Sequence, residues 1–114
     1  MSSKYDLEER TFLFARDCRT FIRTLKFTIS NNEDGKQLVR SSGSVGANYI
    51  EANEKLGDKD FLFRLKISRK EAKESLYWLR LLKTQNNDIE PVDKLIQESI
   101  ELRKILSAII NKIS

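Results

Sequence analysis

Two pairs of carboxylates stand at the i, i+3 spacing of a helix face, Glu51 with Glu54 and Glu71 with Glu74. Carboxylate-bridged di-iron bundles use Glu-x-x-His at that spacing from two of their helices. The chain contains no histidine, so neither pair is completed. The same absence removes the usual general base, the Ser-His and Cys-His nucleophile systems and zinc sites of mixed ligation. The paired acids are therefore expected to be structural, with Glu51 or Glu74 meeting Arg40, Arg69 or Lys70 across a helix hairpin, because a partly buried carboxylate needs a cation or several donors. Cys18 falls on the apolar face of a helix, where a buried thiol is far more common than a nucleophile. No catalytic residue, metal or cofactor is expected.

Gly43-Ser44-Val45-Gly46 matches the GxxG spacing with which one RNA-binding fold clamps a nucleotide backbone, but that loop needs strands around it and none are predicted. No Lys-Ser or Lys-Thr follows these glycines at the required spacing, which excludes a phosphate-cradling P-loop. Basic residues offer more. From Lys55 to Lys83 there are nine lysines and arginines against four acids, a surplus of five, while the remainder of the chain sums to minus one. Lys66, Arg69, Lys73 and Arg80 recur at spacings of three, four and seven and so share a helix face able to track a phosphate backbone. Interleaved Glu71 and Glu74 leave open the plainer alternative of a solvated surface.

Four helices are predicted to carry these residues, over 7–27, 31–56, 59–83 and 91–113. Asp6 with Glu9 and Ser30 with Glu33 have capping-box spacing, Gly57 can close the second helix in a left-handed conformation, Asp58 can cap the third and Pro91 suits the first turn of the fourth. Leu7, Phe14, Cys18, Phe21, Ile22 and Leu25 line the first helix. Val92, Leu95, Ile96, Leu102, Ile105, Leu106, Ile109 and Ile113 line the fourth. The Gly57-Asp58 junction leaves almost no loop, so the second and third helices should form an antiparallel hairpin, the third about 37 Å long. The pattern specifies an all-α, antiparallel up-down-up-down four-helix bundle, 1–114 forming one domain.

Apolar residues exceed what one such core needs. In the second helix Leu38, Val45, Tyr49, Ala52 and Leu56 form one stripe and Val39, Gly43, Gly46, Ala47 and Ile50 a second. In the third, Phe61, Leu65, Ala72, Leu76, Leu79 and Leu82 leave Phe63, Ile67, Tyr77, Trp78 and Leu81 outside the core stripe. Glycine inside a helix costs about 0.8 to 1 kcal/mol relative to alanine, which calls for a close backbone neighbour. An oligomer interface through Gly43, Gly46, Ala47, Ile50, Tyr77 and Trp78 is the expectation.

The chain has 114 residues, 39% apolar, and 21 basic against 17 acidic side chains, a net charge of +4 with a pI near 9.3 and mean hydropathy of −0.50. That is one domain's length, moderately basic, with no apolar run long enough for a membrane span. A polar start without a secretory h-region and a single cysteine point to the cytoplasm.

The segments EDGKQLVRSSGSVGANYIEANE and KDFLFRLKISRKEAKESLYWLRLL closely resemble the four-helix-bundle proteins encoded within intervening sequences of bacterial 23S rRNA genes. The resemblance spans roughly Leu7 to Leu82 and implies homopentameric rings. A similar protein, the accessory variability protein of diversity-generating retroelements, forms a basic ring that binds nucleic acid and a reverse transcriptase. The matching positions are Arg40, Ser44, Asn48 and Glu51, then Arg64, Lys70, Glu71, Glu74, Trp78 and Leu79. They imply a polar network of Arg40, Asn48, Glu51, Lys70 and Glu74, and no catalytic residue. The expectation is a non-enzymatic, homo-oligomeric bundle binding RNA or DNA through its basic stripe. The alternative is a scaffold that docks a protein such as a reverse transcriptase without touching nucleic acid.

Overall fold

The computed structural model describes residues 3–54, 56–87 and 89–113. Lys55, one of the nine basic residues of the charged segment, lies outside the described residues. Four helices, α1 (Ser3–Arg23), α2 (Ile29–Asn53), α3 (Asp58–Gln85) and α4 (Ile89–Ile113), follow one another with no strand among the described residues. Side-chain partners run in opposite directions in every adjacent pair. Glu8 meets Asn53 and Arg19 meets Val39 between α1 and α2, and Val45 meets Ser68 and Ser41 meets Ser75 between α2 and α3. Arg69 meets Ser107 and Lys83 meets Asp93 between α3 and α4, while Arg10 of α1 reaches Glu98 of α4. The result is an up-down-up-down four-helix bundle.

Its core is aliphatic. Leu38, Val45, Leu65, Leu79, Leu82, Leu102 and Leu106 are fully buried beside Phe14 and Phe21, each such side chain contributing about 1.5 to 3 kcal/mol of transfer free energy. Between α2 and α3 the contact is made by small residues instead. Ser41, Ala52, Ser68, Ala72 and Ser75 are all buried. Ser75 Oγ donates to Ser41 Oγ at 2.9 Å, and Ser68 Oγ donates to the Val45 carbonyl at 2.7 Å, so this seam of hydroxyls hydrogen-bonds internally, as burial requires.

Helix ends differ from the sequence expectation in instructive ways. α1 is already helical at Ser3, ahead of Asp6, and it stops at Arg23, where two tighter bonds, Thr24 N to Phe21 O and Leu25 N to Ile22 O, close it. Thr28, not Ser30, caps α2, its hydroxyl accepting the Asn31 amide at 3.0 Å. α2 ends at Asn53 with Glu54 as C-cap, leaving Leu56 82% exposed rather than in the core. Gly57 begins α3 instead of closing α2: its φ of +147° and ψ of +163° fall in a region essentially reserved for glycine, and its carbonyl accepts the Phe61 amide. In α4, Ile110 takes the core position at four-residue spacing from Leu106, while Ile113 is 47% exposed. At the other end, Asn31 and Asn86 exchange two amide hydrogen bonds of 3.1 and 3.0 Å, tying the α1–α2 turn to the end of α3.

Cys18 is completely buried. Burial pushes its thiol up to about 12, against opposing pulls from Ser42 and Arg19. A thiol-reactive dye at pH 8 is therefore expected to label Cys18 only as fast as the bundle unfolds, because the thiolate is the nucleophile. Labelling at the rate of a free cysteine would place the residue in a solvent-open position.

Candidate nucleic-acid interface

Beyond its core stripe, α3 presents two chemically different flanks. The flank toward α2 holds acids. The Glu71 carboxylate, 8% exposed, accepts Arg40 Nη1 at 3.3 and 3.4 Å, and Arg40 Nη2 donates to Glu74. Glu74 also accepts the Trp78 indole N–H at 3.2 Å. Burial alone would raise Glu74, but Trp78, Arg40 and Lys70 outweigh it and hold its carboxyl below the ordinary value. Arg40 is raised in turn, chiefly by its bond to Glu74.

Cations occupy the other flank. Lys66, Lys73 and Arg80 are exposed, while Arg69 is half-buried and donates from Nη1 to Ser107 Oγ of α4 at 3.4 Å. Among the described residues none of the four has a carboxylate partner, whereas Arg10, Arg16, Arg40, Arg64 and Lys83 are each ion-paired. From Lys66 to Arg80 the row extends about 21 Å along the helix. Tyr77 stands within it, four residues after Lys73 and three before Arg80. It is 54% exposed at the edge of a groove of about 470 Å³ between α3 and α4, floored by Leu81, Ile96 and Ile100.

The six residues expected at an oligomer interface do not form one patch. Gly46 is buried, and a Cβ there would lie 2.8 Å from Thr11 Oγ1, so this glycine seats the chain's own α1. Gly43 is similarly covered by Arg19, whose Nη2 would lie 3.2 Å from such a Cβ. Ala47 and Ile50 are exposed and, together with Gly43 and Gly46, line a groove between α1 and α2 with Phe12 and Ala15. Tyr77 lies instead in the α3–α4 groove, while Trp78 is half-buried and packs on the core.

The polar network also divides. Arg40 and Glu74 meet across the hairpin, with Lys70 exposed nearby. Glu51 is exposed on α2, and Asn48 bonds locally, donating to the Ser44 carbonyl at 2.9 Å. Glu71 is the acid that the sequence expectation left out of this network, although its place beside Ala72 on the core side of α3 is a periodicity signal. Among the described residues no group of three or more acidic, cysteine or histidine side chains could hold a metal ion, and no helix is long and apolar enough to cross a membrane.

Fold and surface together define an all-α antiparallel bundle with one unpaired cationic flank. The chain belongs to the 23S rRNA-intervening sequence protein family, whose profile matches residues 4–108. It is similar to a protein of unknown function from the S23 ribosomal protein family of Bacteroides thetaiotaomicron VPI-5482, known from a crystal structure. The two are 31% identical, with a TM-score of 0.81, over 91% of this chain and 97% of that one. No curated protein matches.

Proposed function

We propose that this protein is a non-enzymatic, self-associating bundle that binds the backbone of RNA or DNA through Lys66, Arg69, Lys73 and Arg80 of α3. The observation that carries this is the division of charge on α3. Glu71 and Glu74 are held on the α2 side by Arg40, leaving four cations on the far side with no internal counter-ion. Unpaired cations in a row gain most from a polyanion, because each phosphate contact releases condensed counter-ions. The ribosomal settings named for the family and for its solved relative agree with an RNA partner.

Self-association is assigned to the α1–α2 groove, where Phe12 is 62% and Ile50 45% exposed. A second copy suits it better than a polyanion, since its rim mixes Glu8 with Arg16 and Arg19. The homopentameric ring implied by the family resemblance would repeat the α3 stripe around an axis and sum its field. Light scattering with a molar-mass readout tests assembly, and a monomer at high concentration would remove this part.

Fluorescence anisotropy with a labelled oligonucleotide tests the binding. Affinity should fall linearly with salt on logarithmic axes, and neutralising Lys66, Lys73 and Arg80 together should lower both the affinity and the slope, the slope by about one unit per lost phosphate contact. Binding untouched by these changes would favour the second reading, a scaffold that docks a protein partner.

A further inference from the structure

Tyr77 is the residue on the cationic flank that charge does not explain. A large aromatic side chain 54% exposed to water in the middle of a row of lysines and arginines carries no structural duty visible in the core. Yet it is not loose. Its ring packs edge-on against Trp78, centroids 5.0 Å apart and planes at 75°. Trp78 is pinned by its N–H to Glu74, and Glu74 by Arg40. A chain of contacts beginning on α2 thus fixes the orientation of a phenol ring on the surface of α3.

We infer that Tyr77 is a stacking platform for an unpaired nucleobase, so that the α3 flank takes single-stranded nucleic acid in preference to duplex. The proposal rests on the nucleic-acid reading above and specifies its substrate class. Binding of single strands without sequence readout combines a cationic track for the backbone with aromatic rings on which bases stack. Both parts are present here at matched spacing: Lys73 one turn before Tyr77, Arg80 one turn after, and an apolar groove beside the ring floored by Leu81, Ile96 and Ile100. At the groove's end Asp93 occupies Lys83 at 2.7 Å, which leaves Lys73 and Arg80 as the cations free to meet the flanking phosphates. A duplex keeps its bases stacked on one another and would bring only phosphates to this face, leaving Tyr77 idle.

The test uses the full chain with a fluorescein-labelled oligo-dT strand and the same strand annealed to oligo-dA, at equal salt. The single strand is expected to bind about tenfold more tightly. Tyr77→Leu should weaken strand binding by about fivefold or more, leave duplex binding unchanged and leave the salt slope unchanged, since no charge is lost. Tyr77→Phe should bind like the parent. Trp78 is the sole tryptophan, so its emission should change on adding strand and not on adding duplex. Thermal melting checks that the exposed substitution leaves the fold intact. Equal affinity for strand and duplex, or a Tyr77→Leu variant that binds strand as the parent does, overturns the platform while leaving the electrostatic reading in place. Absence of binding to either probe overturns both.

Discussion

Gly46→Leu is expected to cost about 3 kcal/mol or more of stability and to loosen α1, whereas Gly43→Ala should stay within about 0.5 kcal/mol of the parent. Both glycines lie on the face of α2 toward α1, so the contrast isolates what each one touches. At position 46 even a single Cβ would meet Thr11 Oγ1 at 2.8 Å and Thr11 Cβ at 3.2 Å, with the Thr11 backbone carbon 3.7 Å away. Thr11 is itself fully buried, and its hydroxyl is committed to the Glu8 carbonyl, so it has nowhere to retreat. A leucine there must displace α1 as a whole, and overpacking a closed contact costs more than the helix propensity it recovers. At position 43 the sole close atom is the end of the Arg19 side chain at 3.2 Å, which can swing outward. The propensity gain of alanine then offsets the weakened Arg19 bonds. Urea unfolding followed by circular dichroism measures both. Equal stability of the two variants would mean that α1 does not rest on Gly46.

Arg40→Met is expected to cost about 2 to 3 kcal/mol, more than an exposed arginine usually contributes. Arg40 is half-exposed, but the Glu71 carboxylate it serves is almost wholly buried, and removing the cation leaves that charge without its partner. The upper range for broken buried pairs is reduced here because water can enter where the guanidinium was. Adding Glu71→Gln to Arg40→Met should restore part of the loss by removing the stranded charge, a coupling that a double-mutant cycle reads directly. Acid gives an independent check. Glu74 is depressed in the folded state below the ordinary value of 4.5, so its contribution is fully present above that value and is lost as pH falls through the folded-state pKa. The parent should lose stability on acidification below about pH 4.5, and the Arg40→Met variant should lose less over that range. Parallel pH profiles would mean that the Arg40–Glu74 contact does not contribute in solution.

The helices were legible in the sequence because their apolar residues repeat at helical spacing and turn residues separate them. Their ends were less so. Asp6, Ser30 and Gly57 each carry an accepted terminal signal, yet α1 runs through the first, Thr28 pre-empts the second and Gly57 works at the opposite side of its turn. Several residues with capping chemistry lay within reach of each end, and packing of the hairpin chose among them. For the surface, the cationic row was readable as a row, since spacing alone places Lys66, Arg69, Lys73 and Arg80 together. What spacing could not give was the partner of each small residue. Glycine in α2 signals a close neighbour without saying whose, and the neighbour of Gly46 proves to be α1 of the same chain. The loss of charge partners on the far flank was equally hidden, because it depends on Arg40 drawing Glu71 and Glu74 toward α2.

The hydroxyl-lined seam between α2 and α3 bears on how such a chain can drift over generations. Ser41, Ser68 and Ser75 are held there by size more than by polarity, since their hydroxyls bond to one another or to carbonyls within the seam. Exchange of Ser41 and Ser75 together for alanine removes both ends of their mutual bond, and exchange of Ser68 leaves a Val45 carbonyl that still belongs to the α2 helix, while exchange for valine or leucine would wedge the hairpin open and carry the cationic flank with it. Descendants are thus free to change the chemistry of these positions but not their bulk, and the spacing of the two rods is the inherited quantity.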